Sequence, residues 1–115
     1  MIIVSAELEF ESEVDRDRAI EETVSIQQAT REQEPGCRAY CFAADPVEPR
    51  RIQVYELWDD SASLAAHFEH PNYRAMVEAL AAARVVSSAN RACLIERQEP
   101  VYGPNGERKT AFFAD

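Results

Sequence analysis

The secondary structure elements predicted from the sequence follow the order β-α-β-β-α-β. This order indicates a ferredoxin-like α+β fold, an antiparallel sheet with helices on one face. Three observations support it. The chain has 115 residues, which suits one domain. Segments that alternate apolar and polar residues flank segments with apolar residues at three- and four-residue spacing. Proline and glycine residues lie between these segments, where the chain must turn.

The spacing of apolar residues changes from every second residue to every third or fourth, which indicates a first strand followed by a first helix. Residues 2–11 alternate apolar and polar side chains, which is typical of a strand with one buried face. Asp15 can cap a helix that runs to about Gln33. The expected core-facing stripe of this helix contains Ala19, Ile20, Thr23, Val24, Ile26, Gln27 and Thr30. Pro35-Gly36 then ends the helix and turns the chain.

Two further strands are separated by a connector rich in proline. The second predicted strand covers residues 38–44, and the third covers residues 51–58. Residues 45–49 contain two prolines, which do not fit inside a central strand. The alternation places Glu56 and Trp58 on the same face of the third strand.

The second half of the chain predicts a helix in two pieces and a last strand. Residues 59–61 open a helix with acidic residues that suit the helix dipole. Pro71 interrupts it, because proline disfavours the helical conformation of the residue before it. A further helical piece covers residues 72–83, and residues 90–97 are the last predicted strand.

Residues 98–115 form a tail outside the predicted domain of residues 1–97. Asn105-Gly106 is a frequent hairpin turn. Residues 110–113 are therefore expected to be either a returning strand or a segment docked on a partner. The second face of the sheet is also partly apolar, with Ile3, Tyr55, Leu57, Cys93 and Ile95. A second copy of the sheet is the simplest cover for such a face, so a homodimer is expected.

Composition excludes several classes of partner. The net charge of −9 does not suit binding to nucleic acid or anionic lipid. No apolar run is long enough to span a bilayer, and the N-terminus lacks the basic segment of a signal peptide. Three cysteines, an odd number, suit a reducing compartment and a cytoplasmic location. Metal-ligand spacing is missing from the sequence, so no metal is expected.

Several short motifs between residues 1 and 97 occur together. They are Val4-Ser5-Ala6-Glu7, Glu34-Pro35-Gly36-Cys37, Tyr40, Asp45, Glu56 with Trp58, Ala66-His67 and Pro71-Asn72. Through them the chain resembles the antibiotic biosynthesis monooxygenase family, including its small quinol monooxygenase members. Family members most often carry His at the position of Asn72.

The resemblance implies a dimeric α+β barrel that uses dioxygen to oxygenate a quinol, an anthrone or a similar aromatic molecule, without a cofactor. An electron-rich aromatic, once deprotonated, can pass an electron to dioxygen directly. The protein then needs only to bind the ring, take the proton and exclude water.

His67 and Glu56 are the candidate catalytic residues. Histidine titrates near neutral pH, and the helix is expected to direct His67 toward the face that carries Glu56. A half-buried histidine bonded to a backbone carbonyl is the structural alternative. A carboxylate on an apolar face must be paired, protonated or next to a wet pocket. A buried arginine partner is the structural alternative for Glu56.

The candidate substrate-binding residues are mostly aromatic. Trp58 can stack on a planar substrate, or it is simply the largest residue of the core. The hydroxyl groups of Tyr40 and Tyr73 can orient a substrate oxygen. Phe42 and Leu8 complete the expected apolar wall.

Two other functions remain open, and a third is disfavoured. The first is a non-catalytic dimeric protein that binds a small ligand or acts in a stress response. The second is isomerisation of a small phosphorylated ketone, which needs a basic anion site; its candidates are Arg38, Arg50, Arg51 and Arg74. The third is haem degradation, since haem-degrading relatives share the fold. Aligned on Trp58, their Asn and axial His fall at Leu8 and Val77, which cannot take these roles.

Overall fold

The computed structural model describes residues 1–114. Within them the chain forms β1 (Ile2–Phe10), α1 (Glu13–Gln33), β2 (Cys37–Ala44), β3 (Arg51–Trp58), α2 (Ser61–Glu69), α3 (Pro71–Ala82) and β4 (Val85–Leu94). The strands pair antiparallel in the order β2-β3-β1-β4. The predicted ferredoxin-like α+β fold is confirmed. Among residues 1–114, no helix combines the length and apolar character needed to cross a bilayer.

One face of the sheet is buried beneath the helices. Side chains alternate along each strand, so the even-numbered residues of β1 and β3 share this face with those of β2 that follow its irregularity between Cys37 and Ala39. The buried apolar side chains of these three strands are Ala6, Leu8, Phe10, Tyr40, Phe42, Ile52, Val54 and Trp58. The strand register places Glu56 opposite Val4, within the same buried layer.

Helix α1 begins earlier than the sequence predicted. Its N-cap is Ser12, whose Oγ accepts a hydrogen bond from the backbone nitrogen of Asp15 at 3.1 Å. The predicted cap, Asp15, lies inside the first turn and forms an ion pair with Arg18 at 3.4 Å. Ser12 takes the cap position because its side chain reaches the free N–H three residues on. Val24, which the stripe assigned to the core, is 57% exposed.

The buried side of α1 is largely polar and closes the edge of β2. Gln27 accepts from the backbone N–H of Phe42 at 2.8 Å and donates to the carbonyl of Phe42 at 3.3 Å. Arg31 donates to the carbonyl of Tyr40 at 2.7 Å. These bonds satisfy backbone groups that an edge strand otherwise leaves open.

The break between α2 and α3 lies at Pro71, as predicted. His70 before it is extended, with φ −83° and ψ 143°, and its Nδ1 accepts from the backbone N–H of Asn72 at 3.0 Å. Pro71 is the first residue of α3, where its missing N–H has no intrahelical partner to lose. The turn before β2 needs Gly36, because its φ is 83° and an added Cβ would lie 2.2 Å from Ser63 Oγ.

Strand β4 differs most from its prediction. It covers Val85–Leu94 instead of residues 90–97. After its first residue, Val85, every residue of the strand is exposed. A strand exposed on both faces has no alternation of apolar and polar residues, so its sequence gives no period to detect.

The open face of the sheet is half apolar and half charged. Ile3 and Leu57 are half-buried, and Tyr55 is 44% exposed. The charged half includes Arg91, which donates to Glu7 through two hydrogen bonds of 3.0 and 2.8 Å.

The tail after β4 contains one short turn. Tyr102 and Arg108 form an isolated antiparallel bridge, and Gly106 has φ 79°. The predicted turn at Asn105-Gly106 is thus present, but residues 110–113 do not form the returning strand considered in the sequence analysis. The tail contains only an isolated bridge, so residues 110–113 have no adjacent strand with which to form backbone hydrogen bonds.

Candidate active site

A cavity of about 260 Å³ lies between the buried face of the sheet and the α2–α3 pair. Its lining is mostly apolar, with a few polar groups, as small-molecule sites commonly are. It is lined by Val4, Ala6, Leu8, Tyr40, Phe42, Val54, Glu56, Leu64, His67, Phe68, Tyr73, Met76, Val77, Leu80, Ser88 and Asn90. A shallower groove of about 500 Å³ beside α1 holds charged side chains such as Arg31 and Glu32. The chemistry-bearing residues meet in the smaller cavity.

Helix α2 places His67 in the wall of this cavity. This histidine is 2% exposed, and its Nδ1 lies 2.7 Å from Glu34 Oε1. Its ring packs against four aromatic rings, with centroid distances of 4.8 Å to Trp58, 5.4 Å to Tyr40, 5.4 Å to Tyr73 and 6.0 Å to Phe68. Carboxylate and rings together fix the orientation of the imidazole.

Glu34 is the buried partner of His67, and nothing in the sequence singled it out as a candidate site residue. It ends α1, is buried, and also accepts from Asn72 Nδ2 at 3.1 Å. Its only sequence signal is its place before Pro35-Gly36, and that motif does not say which side chain the carboxylate meets. The structural alternative for His67, a backbone carbonyl partner, is wrong, because this carboxylate takes its place.

The tautomer of His67 follows from its partner. An ionised carboxylate accepts hydrogen bonds and donates none, so Nδ1 of a neutral His67 carries the proton and Nε2 carries the lone pair. Nε2 forms no hydrogen bond with the residues that the structure describes. Every fully buried side-chain nitrogen or oxygen in residues 1–114 has a partner, so Nε2 is not fully buried. We infer that it opens into the cavity that His67 lines.

Glu56 lines the same cavity from β3. Its Oε1 accepts from the indole Nε1 of Trp58 at 2.9 Å, so its buried partner is an indole and not the arginine considered in the sequence analysis. Burial raises the pKa of Glu56, while the indole hydrogen bond and the nearby His67 act in the opposite direction. The carboxyl therefore holds its proton to a higher pH than an exposed glutamate does.

Trp58 does not line the cavity. It is 0% exposed and lies behind His67 and Glu56, so its ring supports these two side chains instead of stacking on a substrate. The expected stacking role is corrected to a core role. Trp58 ends β3, and its ring packs against that of His67 near the end of α2.

The other four predicted substrate-binding residues line the cavity. Leu8, Phe42 and Tyr40 are buried in its floor and wall, and Tyr73 is half-buried. Burial, together with the negative charges of Glu56 and Glu34, raises the pKa of Tyr40 far above its ordinary value. Its hydroxyl is therefore a stable hydrogen-bond donor at neutral pH.

The remaining lining residues of the cavity, which form its roof and its far wall, were not predicted as site residues. Leu64, Phe68, Met76, Val77 and Leu80 form the roof, and Ser88 and Asn90 of β4 form the far wall. Helical spacing could have indicated the roof, whereas nothing in the sequence placed β4 beside it. No lysine or arginine lines the cavity, and no group of three His, Cys, Asp or Glu within residues 1–114 is placed to hold a metal ion.

Comparison with known proteins agrees with this architecture. A Deinococcus radiodurans structure assigned to the antibiotic biosynthesis monooxygenases is 26% identical, with a TM-score of 0.78 over 90% of this chain and 100% of that one. SnoaB, a cofactor-independent oxygenase from Streptomyces nogalater, is 11% identical, with a TM-score of 0.65 over 86% of this chain and 96% of its own, and shows the fold alone.

A curated relative matches a shorter segment. An uncharacterized protein of Synechocystis is 38% identical over 45 residues, which are 39% of this chain and 31% of that protein. The family profile for antibiotic biosynthesis monooxygenases matches residues 1–79 of the chain. Since this match covers more than half of the sequence, the protein belongs to the antibiotic biosynthesis monooxygenase family.

Proposed function

We propose that the protein is a cofactor-independent monooxygenase that acts on a quinol, an anthrone or a similar small aromatic molecule. The observation that carries this proposal is the buried His67–Glu34 pair, which leaves Nε2 without a partner at the wall of a mostly apolar cavity. Such a nitrogen is suited to take a proton from a bound phenol or from an acidic C–H.

The first step is removal of that proton by His67. Glu34 keeps the proton of Nδ1 in place and stabilises the imidazolium that forms, because the pair is buried and 2.7 Å apart. The Tyr40 hydroxyl is placed in the cavity wall to donate to the substrate oxygen on which negative charge develops.

The second step is reaction of the substrate anion with dioxygen. The anion passes one electron to dioxygen, and the two radicals combine into a peroxide bound to the ring carbon. A methylene substrate then loses water, so that RCH₂R′ and O₂ give RC(=O)R′ and H₂O. Glu56, protonated to a higher pH than usual, is suited to return a proton to the peroxide.

The size of the cavity limits the substrate. At about 260 Å³ it is below the 300 to 1,000 Å³ or so that is typical of drug-sized ligands. A substrate of one to three fused rings is therefore favoured over a larger polycyclic molecule.

The competing enzyme functions find less support in this site. An isomerase of a phosphorylated ketone needs a cation at the phosphate, and the cavity lining contains none. Arg38 is paired with Asp59, and Arg51 is paired with Glu9. Leu8 and Val77 both line the cavity, and neither side chain carries an atom that can ligate haem iron.

The proposal includes a homodimer joined through the open face of the sheet. The apolar half of that face is left uncovered, with Tyr55 44% exposed. We further propose that residues 98–115 are a separate tail that contacts the partner copy. The radius of gyration is 16.1 Å, against about 13 Å for a compact chain of this length, which agrees with a projecting tail.

Oxygen consumption tests the proposed reaction. Protein treated with chelator is mixed with anthrone or 1,4-dihydroxynaphthalene at an oxygen electrode. We expect oxygen uptake that rises in proportion to protein concentration above the rate in buffer. Uptake at the buffer rate across a panel of such compounds would instead favour a non-catalytic ligand-binding protein.

A further inference from the structure

The cavity has a second polar end, formed by Ser88 and Asn90 of β4. Both residues line the cavity, and Asn90 Nδ2 donates to Ser88 Oγ at 3.1 Å. This bond uses one of the two amide hydrogens of Asn90. The Asn90 carbonyl, its second amide hydrogen and the Ser88 hydroxyl hydrogen remain available to a ligand.

This end lies opposite the catalytic residues. Asn90 is paired with Ala6 of β1, which is paired in turn with Val54 of β3. Two strand spacings separate β4 from β3, or about 10 Å. His67, Glu56 and Tyr40 gather on the β2–β3 side, so the polar groups of the cavity form two separate clusters.

The space between the two clusters is apolar and open. Ala6 contributes only a methyl group to the floor at the level of Asn90. Leu8, Met76 and Leu80 line the cavity around it. A ring bound across this apolar region would meet polar groups of the protein at both of its ends.

We propose that Ser88 and Asn90 are specificity-determining residues that select aromatic substrates with a second polar group on the side opposite the reacting hydroxyl or methylene. This inference rests on the proposed function, since it assumes that the ring binds with its reacting end at His67. Ser88 and Asn90 are exposed to water in the free protein. A ligand without a distal oxygen displaces water from this pair without replacing its hydrogen bonds, which lowers the affinity of that ligand.

Anaerobic titration calorimetry tests the inference without requiring turnover. The probes are 1,4-dihydroxynaphthalene, which has oxygens at both ends, and 1-naphthol, which has one. We expect the wild-type protein to bind the dihydroxy compound about five- to tenfold more tightly, as one or two hydrogen bonds allow. The double variant Ser88→Ala/Asn90→Ala should lose this preference for the dihydroxy compound.

Ser87→Ala is the matched control. Ser87 is exposed on the same strand, but it faces the other side of the sheet, so this variant should keep the wild-type preference. A preference that persists in the double variant would overturn the inference, as would equal binding of both compounds by the wild type. Binding of neither compound would count against both this inference and the proposed function. Selective binding without oxygen uptake would support the inference and remove only the proposed reaction.

Discussion

At the scale of single residues, the Glu34–His67 pair forms because three parts of the chain converge. Glu34 ends α1, His67 lies on α2, and Asn72 in the first turn of α3 donates to the second carboxylate oxygen. A carboxylate held by two donors is a fixed acceptor, so the imidazole proton stays on Nδ1. Under the proposed function, this arrangement orients the free nitrogen of His67 before substrate arrives.

Glu34→Gln tests this positioning role. The amide can donate to Nδ1 and so move the ring proton to Nε2, which removes the base from the cavity. We expect turnover to fall about 10- to 100-fold with little change in KM, the cost typical of losing a residue that orients a functional histidine. In the background of His67→Asn, the same change should cost little more, because the two residues act as a unit. Glu32→Gln, an exposed change near the end of α1, is the control and should leave turnover and KM unchanged. If the losses of turnover from Glu34→Gln and His67→Asn were instead additive, the two residues would not act as a pair.

Glu56 gives a pH-dependent prediction. Burial raises its pKa in the folded protein above the ordinary value of 4.5, so the folded state binds the proton more tightly than the unfolded state. The contribution of this carboxyl to the free energy of unfolding is therefore full below 4.5 and declines as the pH rises through the folded pKa.

Glu56→Gln removes this titration and keeps an acceptor for the Trp58 indole. We expect the stability of the variant relative to wild type to increase with pH above 4.5, as measured by urea unfolding at a series of pH values. Glu22→Gln, at an exposed position of α1, should show no such trend. A stability difference that is constant with pH would contradict the account of Glu56.

For site residues on strands and helices, the sequence indicated which residues lie near one another, but it did not indicate which side chains they contact. His67, Tyr40, Phe42 and Leu8 could be placed near one another because the strand and helix periods fix which way each residue faces. The partners of His67 and Glu56 could not be predicted. Glu34 comes from the far end of α1, and the meeting of the two depends on how helices pack over the sheet.

At the scale of elements, α1 protects one edge of the sheet and leaves the other exposed. On β2, the backbone of Phe42 is hydrogen-bonded to the side chain of Gln27, and the carbonyl of Tyr40 to that of Arg31. At the other edge, β4 is exposed along nearly its whole length. The polar residues on the buried side of α1 thus have a structural role. The spacing of these residues predicted which face of α1 is buried, but not that this face covers the β2 edge of the sheet.

Gln27→Ala tests the closure of β2. The change removes both hydrogen bonds to Phe42 and leaves a backbone N–H and a carbonyl buried without partners. We expect the free energy of unfolding to fall by about 1 to 3 kcal/mol, measured by urea unfolding. Gln28→Ala, one residue away on the exposed side, should stay within about 0.5 kcal/mol of wild type. Equal effects of the two changes would show that the contact with Phe42 does not stabilise the fold.

At the scale of the whole molecule, the order of elements was predictable and the limits of β4 were not. The order of strands and helices follows from two features: the strong alternation of apolar and polar residues in β1 and β3, and the breaks at Pro35-Gly36 and Pro71. Strand β4 pairs with β1 through its backbone and through the Arg91–Glu7 ion pair, and the side chains after Val85 are exposed on both faces. Its position therefore depends on a long-range pairing that local periodicity does not record.

Sedimentation tests the proposed homodimer. At micromolar concentration we expect a dimer, because the open face carries Ile3, Tyr55 and Leu57 without cover from this chain. Tyr55→Glu puts a charge at the centre of that face and should yield a monomer. Val14→Glu, at a position 75% exposed on α1, should remain dimeric. A wild-type monomer of 13.0 kDa would contradict this proposal.

The central claim is that His67 is the base of the reaction, and His67→Asn tests it most directly. Asparagine can still donate to Glu34, so the buried carboxylate keeps a partner while the basic nitrogen facing the cavity is lost. Oxygen uptake and melting temperature should be measured on one preparation, with Glu32→Gln, an exposed change on α1, as the control. The account predicts that His67→Asn melts near the wild-type temperature and turns over about 10²- to 10⁴-fold more slowly, while the control stays active. A folded His67→Asn protein that consumes oxygen at the wild-type rate would contradict it.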